Sequence, residues 1–137
     1  MNAMIGDAGS VSAGRINTNN PGYVQFFKMS DIPKPAQIFV FLDEHPDSIG
    51  DGYFLNRAVK HAWDDLPASY HDSAAAFSFA DGHAHMKRWL VASTKAPAKP
   101  DSTGLPFYVT KAQSADFDWV IEHMSVDQAG VNHPQYP

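Results

Sequence analysis

His71-Asp72-Ser73-Ala74-Ala75-Ala76-Phe77-Ser78-Phe79-Ala80-Asp81-Gly82-His83 holds the strongest structural signal in the chain. Asp81-Gly82 lies between two runs able to pair, Ala75 to Phe79 and His83 to Trp89. An Asp-Gly pair in a two-residue loop favours a type I′ turn, which needs positive φ at both central positions. The expectation is a β-hairpin whose first strand His71 enters.

Upstream, Ile38-Phe39-Val40-Phe41-Leu42 is β-branched and aromatic, with both faces apolar. Such a run predicts a buried central strand. It leads directly into Asp43-Glu44-His45-Pro46-Asp47-Ser48-Ile49-Gly50-Asp51-Gly52. Tyr53 to His61 fits a second strand or a short helix, and Trp63 to Ser69 fits a loop. Tyr23 to Met29 is a short apolar-aromatic stretch, broken by Ser30-Asp31-Ile32-Pro33. Residues 1–22, rich in Gly, Asn and Ser, are expected to be a loose arm. Downstream, Pro97, Pro100, Gly104 and Pro106 predict a long surface connection over 92–106. Phe117, Val120, Ile121 and Met124 fall at i, i+3, i+4 and i+7, which predicts a short amphipathic helix. Ser114 is its expected N-cap, with Asp116 and Asp118 in the first turn. A frayed tail is expected over 132–137. The pattern as a whole predicts one α+β domain over 1–137: a small, mainly antiparallel sheet with one or two short helices.

Composition narrows the partners. The chain has 137 residues, 44% of them apolar, enough for one core and against wholesale disorder. Its net charge of −5, without a basic cluster, argues against nucleic acid. There is no cysteine, hence no disulfide framework and no thiolate metal site. No window of eighteen apolar residues spans a membrane. Met1 to Asp7 lack the basic start and apolar run of a signal peptide, so the chain as written reads as cytoplasmic.

Asp43, Glu44, Asp47 and Asp51 lie close together, and no Lys or Arg occurs between Lys34 and Arg57. Carboxylates so crowded either spread in solvent or gather around a cation. Calcium suits them best, since it takes many oxygen ligands in irregular geometry, and Gly50 and Gly52 let the backbone offer carbonyls. An EF-hand is excluded: a loop starting at Asp47 puts Ile49 at the third position and Ala58 where the bidentate Glu belongs.

Histidines offer a second chemistry. His83 and His85 are two apart and share a strand face. With His45 or His71 they could hold zinc. The hydrolase patterns are absent: there is no His-Glu-x-x-His, and His83-Ala84-His85 continues as Met86-Lys87-Arg88. No Gly-x-Ser-x-Gly elbow occurs, so Ser69, Ser73 and Ser78 carry little weight as nucleophiles. His71 reads as a structural histidine bonded to a neighbouring loop rather than a catalytic one.

His71, nine residues, then Asp81-Gly82 resembles the "H-x9-DG" signature of prepilin-like proteins. Phe39 to Ile49 with Asp51-Gly52-Tyr53-Phe54 resembles that family's strand and acidic loop. Leu66-Pro67-Ala68-Ser69-Tyr70-His71 resembles its approach to the signature, Phe77 to His83 its hairpin, and Asp118-Trp119 its C-terminal end. The similarity runs from about Met1 to Met124 and is strongest over 39–89. It implies the head of a type II secretion pseudopilin-like subunit: a small antiparallel sheet that binds calcium in a head loop. It also implies a cleaved N-terminal segment and a long apolar helix, which anchor homologues in the inner membrane with an extracytoplasmic head. Other pilin-like subunits would be the partners. Neither the cleavage segment nor the apolar helix occurs in these residues, so the expectation is the head alone.

Two alternatives stand beside that reading. One is a small calcium- or zinc-dependent hydrolase of esters or lactones. There Asp43, Glu44, Asp47, Asp51 and Asp81 would hold the ion and His45, His83 or His71 would move the proton. The end of the first strand, Asp43 to His45, is among the candidates to neighbour the Asp81-Gly82 turn, which would favour His45 and His83 as the bases. The other is a partner-binding module using Tyr53, Trp63 and Trp89 as exposed aromatics.

Overall fold

The expected hairpin forms, but through a different turn. In a computed structural model, which describes residues 1–7, 11–12 and 16–130, strands β1 (Val11–Ser12) and β2 (Ile16–Asn17) make a small ribbon. They are followed by β3 (Phe39–Leu42), β4 (Ala62–Trp63), β5 (Ala74–Phe79), β6 (Ala84–Arg88), β7 (Phe107–Tyr108) and one helix, α1 (Ala115–Met124). Among the described residues, three antiparallel sheets result: β1 with β2, β4 with β7, and the main sheet in the order β3-β5-β6. The fold is a small α+β one.

β5 and β6 pair from Ala74↔Arg88 to Ser78↔Ala84. Phe79 N–H then donates to the His83 carbonyl at 2.9 Å, and Gly82 N–H donates to the Phe79 carbonyl at 2.9 Å. The loop is therefore the three residues Ala80, Asp81 and Gly82. Only Gly82 has positive φ, at 94°. This is a turn centred on Ala80-Asp81 and closed by glycine, not the two-residue type I′ turn expected. The Asp81 side chain stabilises it by accepting from His83 N–H at 3.1 Å.

At the other end of the hairpin, His71 stands outside the strand. Asp72 and Ser73 both take left-handed conformations, with φ of 52° and 60°. These two residues reverse the chain just before β5, so the strand starts at Ala74.

β3 is not central. It pairs on one side with β5, through Phe39↔Phe79 and Leu42↔Phe77, with an irregularity between Phe39 and Phe41. β5 occupies the middle of the sheet. The apolar faces of β3 have different fates: Phe39 is fully buried, whereas Phe41 is 56% exposed.

The outer edge of β3 is covered by the segment expected to be a loose arm. Asn2 N–H donates to the Val40 carbonyl at 2.9 Å. Its side-chain amide donates to the carbonyls of Phe39 and Met124, each at 2.8 Å, joining sheet to helix. Asn2, Ala3, Met4, Asn17 and Asn20 are all buried. Asn20 accepts from Ala58 N–H and donates to the Asn56 carbonyl. Polar composition does not mark a loose segment here, because asparagine side chains replace the missing backbone partners inside the protein. Residues 8–10 and 13–15 of that arm, and the 132–137 tail, lie outside the described residues.

Helix α1 follows its predicted periodicity, with Phe117, Val120, Ile121 and Met124 all buried. It packs on the sheet face that carries Ala75, Phe77 and Phe79. Phe77 meets Phe39 and Trp119 edge-on, at centroid distances of 5.2 and 5.0 Å. Ser114 occupies the N-cap position without capping a backbone N–H. Its hydroxyl lies 2.7 Å from Asp118 Oδ2 and 3.0 Å from the Lys111 carbonyl. Tyr53 to His61 is neither a full strand nor a helix, but isolated bridges at Phe54 and Arg57 and a single 3-10 turn at Ala58–Lys60. The 92–106 connection opens in a 3-10 turn, Ala92–Lys95, and otherwise runs irregularly. Among the described residues, no helix is long and apolar enough to cross a membrane.

Candidate functional site: an acidic cleft

The predicted ligands do not meet at one point. Asp43 follows β3, and antiparallel pairing carries it away from the hairpin turn. Phe39, at the start of β3, pairs with Phe79 beside that turn. Asp43, past its end, bonds to Ala76 through both its N–H (3.1 Å) and its carboxylate (3.2 Å). Its Oδ2 is 3.4 Å from Nε2 of His71. Asp43 to His45 therefore lie at the opposite end of the hairpin from Asp81-Gly82, not beside that turn.

Asp47 is committed to the backbone of the long connection. Its carboxylate accepts from the N–H groups of Asp101, Ser102 and Thr103 at 2.9 to 3.0 Å, and from the Thr103 hydroxyl at 2.9 Å. Partial burial alone would raise its pKa. The Thr103 hydroxyl and the three N–H groups outweigh that and hold it below the ordinary carboxylate value.

His45 is fully buried. Its Nδ1 accepts from Asp47 N–H at 3.1 Å, so Nε2 carries the hydrogen and donates to the Pro97 carbonyl at 2.9 Å. With both nitrogens engaged and no exposed face, it cannot serve as the base for a substrate. His83 stacks on Phe79 at 4.4 Å, and its Nδ1 contacts Asp81 at 2.6 Å. The turn hydrogen bonds hold the Asp81 carboxyl below its ordinary pKa. Among the described residues, no group of three or more His, Asp or Glu stands ready to hold a metal ion. Trp63 and Trp89 are 1% exposed, so neither offers an aromatic surface to a partner. The Trp89 indole N–H donates to the Ala68 carbonyl at 2.7 Å.

What the fold does bring together is Glu44 and Asp51 with a second acidic pair, Asp64 and Asp65. The segment after β4 runs beside the acidic loop: His45 N–H donates to the Leu66 carbonyl at 2.9 Å, and Leu66 N–H donates to the Ser48 hydroxyl at 3.2 Å. Buried Asn56 fixes the pair by accepting from the N–H groups of Asp64 and Asp65 at 2.8 and 3.1 Å. Asp65 accepts from Leu55 N–H at 2.6 Å, and Asp64 forms an ion pair with Arg57 at 2.9 Å. Ser48, Asp51, Tyr53, Arg57, Asp64 and Asp65 line a cleft of about 270 Å³.

Glu44 does not line this cleft but stands close enough to Asp65 and Asp51 to feel their repulsion. Burial, and then repulsion from Asp65, push the Glu44 carboxyl up to about 7, with Ser48 offsetting part of the rise. Burial raises Asp65 to about 6; Leu55 N–H lowers it, while Asp64 and Asp51 raise it. Glu44 Oε1 and Asp64 Oδ2 are buried without a hydrogen-bond partner among the described residues. Carboxyls that titrate near neutrality in a cleft can exchange protons at working pH, or give them up to a cation. Asp64, Asp65, Arg57 and Asn56 escaped the sequence reading. The available signal was the Asp64-Asp65 doublet, which holds the only acids between Asp51 and Asp72.

Comparison of the chain with family models, with curated proteins and with solved structures finds no match.

Proposed function

We propose that this chain is the head of a pseudopilin-like subunit, a binding scaffold that takes calcium in the acidic cleft. The observation that supports it most is the role of the signature residues. His71 borders Asp43 at the entry to β5, and Asp81-Gly82 builds the turn that leaves it. Both ends of the signature therefore act on one hairpin at the centre of the fold, as a structural motif does. Calcium is the ion the resemblance assigns to such heads. The side chains suited to it are Glu44, Asp51 and Asp65, whose mutual repulsion a divalent cation relieves. A bound ion would have to draw these carboxylates together, displacing protons from Glu44 and Asp65. Asp47 and Asp81 are engaged elsewhere.

Thermal unfolding with and without millimolar calcium tests this reading. A ligand that binds only the folded chain raises Tm. Asp51→Asn and Asp65→Asn should each weaken the rise, and Asp81→Asn should leave it intact. A wild-type Tm unmoved by calcium refutes the ion site.

Ester or lactone hydrolysis has one observation in its favour, the Glu44 carboxyl poised near neutrality. In that reading Glu44, not His45, is the base. Glu44→Gln should then abolish turnover of nitrophenyl esters and simple lactones, and turnover that survives the substitution removes Glu44 from the role.

A further inference from the structure

Asp-Gly occurs twice in the chain, as Asp51-Gly52 and Asp81-Gly82. The pair has a chemistry of its own. The glycine nitrogen has no Cβ beside it to hinder close approach. It can attack the carboxyl carbon of the preceding aspartate and close a succinimide ring. A C–N bond forms, and the amide proton leaves with the carboxyl hydroxyl as water. Water then reopens the ring at either carbonyl. Opening at the former main-chain carbonyl leaves the backbone running through the side-chain carbon, as isoaspartate. Water is the sole reagent.

The fold treats the two pairs differently. Ring closure needs a glycine nitrogen released from hydrogen bonds and a backbone able to rotate, so it is slowest where local opening costs most. Gly82 N–H donates to the Phe79 carbonyl at 2.9 Å, inside the hairpin turn. Phe79 N–H donates to the His83 carbonyl at 2.9 Å and ties that turn to the ladder. The Asp81 carboxylate is held by His83 N–H at 3.1 Å and by His83 Nδ1 at 2.6 Å. These bonds also favour its ionised form, which has no hydroxyl to lose.

Gly52 lacks this support. Its N–H has no acceptor among the described residues. Its carbonyl takes the Met1 ammonium at 2.8 Å, which engages the oxygen and leaves the nitrogen free. Asp51 and Gly52 are both exposed and lie outside every strand and helix. Among the described residues, the Asp51 carboxylate accepts only from Tyr53 N–H, at 2.6 Å. That bond folds the side chain back along its own backbone. Gly50, Asp51 and Tyr53 border the open cleft, so no packed side chain fills the space beside them.

We infer that Asp51-Gly52 is a site of spontaneous succinimide formation and conversion to isoaspartate, and that the hairpin turn protects Asp81-Gly82 from the same reaction. Conversion adds a methylene to the main chain and moves a carboxylate that borders the cleft. The inference does not depend on calcium in that cleft.

Ageing of the full chain in calcium-free neutral buffer, with peptide mapping of every aspartate, tests it. Isoaspartate is counted by methyl transfer from S-adenosylmethionine with an isoaspartyl methyltransferase, and located by electron-transfer fragmentation. It should accumulate at Asp51 about tenfold or more faster than at Asp81, the factor expected when one further hydrogen bond must break before the ring closes. In urea that unfolds the chain, the two sites should react at similar rates. Gly52→Ala should slow the reaction at Asp51 and leave Asp81 unchanged. Gly52 does not have positive φ, and an added Cβ there meets nothing within 4 Å, so the variant keeps the fold. Equal rates at the two sites in the folded chain, no isoaspartate at Asp51, or a Gly52→Ala variant that ages like the wild type overturns the inference. A difference that persists in urea overturns it too, since local sequence and not the fold would then be its cause.

Discussion

Asp116 offers the sharpest quantitative test of the fold. As a first-turn acid on a helix surface it would contribute only about 0.3–1 kcal/mol through the helix dipole. In the structure it is fully buried. Its carboxylate accepts from Leu90 N–H at 2.9 and 3.1 Å and from Val91 N–H at 2.8 Å, and Lys87 Nζ stands 3.8 Å away. These bonds tie the start of α1 to the chain leaving β6. A hydrogen bond to a charged acceptor contributes about 1.5–3 kcal/mol, so loss of both donors' partner in Asp116→Ala should cost about 3–6 kcal/mol. Asp116→Asn keeps one carbonyl acceptor and should lose about half of that. Equilibrium urea unfolding at neutral pH, followed by tryptophan fluorescence, measures both. The slope with denaturant should stay constant while the midpoint falls. If Asp116→Ala costs less than about 1 kcal/mol, the carboxylate is no more than a dipole partner and the anchoring argument fails.

Gly82→Val should cost about 1–3 kcal/mol through strain at positive φ; an added Cβ would meet nothing within 4 Å, so no clash contributes. Gly82→Asn, which tolerates that conformation, should lose much less in the same urea titration. Glu44 and Asp65 have folded pKa values of about 7 and 6, above their ordinary values. The folded state therefore binds more protons, and their contribution to stability is full below about pH 4 and lost as pH rises through about 7. Glu44→Gln should flatten Tm between those limits, and an unchanged profile would contradict the buried carboxyl. His123, lowered first by burial and further by His85 and Lys87, contributes the opposite slope. Its share of stability is lost as pH falls below about 6.5, and His123→Gln should remove that acid-side loss. Asp47→Asn should speed amide exchange at Asp101, Ser102 and Thr103 while leaving the hairpin amides protected.

Local chemistry determined what the sequence could say alone. The hairpin between 75 and 89 and the helix face of Phe117, Val120, Ile121 and Met124 depend on turn residues and periodicity within one segment. Both signals are short-range and survive without knowledge of the rest of the chain. The exact turn escaped, because Asp-Gly serves either a two-residue loop or the last positions of a three-residue one, and only pairing of Phe79 with His83 chooses. The place of β3 at an edge, the burial of Asn2 and Asn20, and the burial of Trp63 and Trp89 depend on which segments pack together. Composition cannot report that. The acidic site shows the same division. Crowding of Asp43, Glu44, Asp47 and Asp51 was visible in one loop, but the fold turned Asp43 toward His71 and Asp47 into the 101–103 backbone. It lined one cleft with Asp51 and with Asp64 and Asp65 from the segment after β4, and set Glu44 near Asp65. Charges interact through space, so only tertiary structure decided which carboxylates share a cleft.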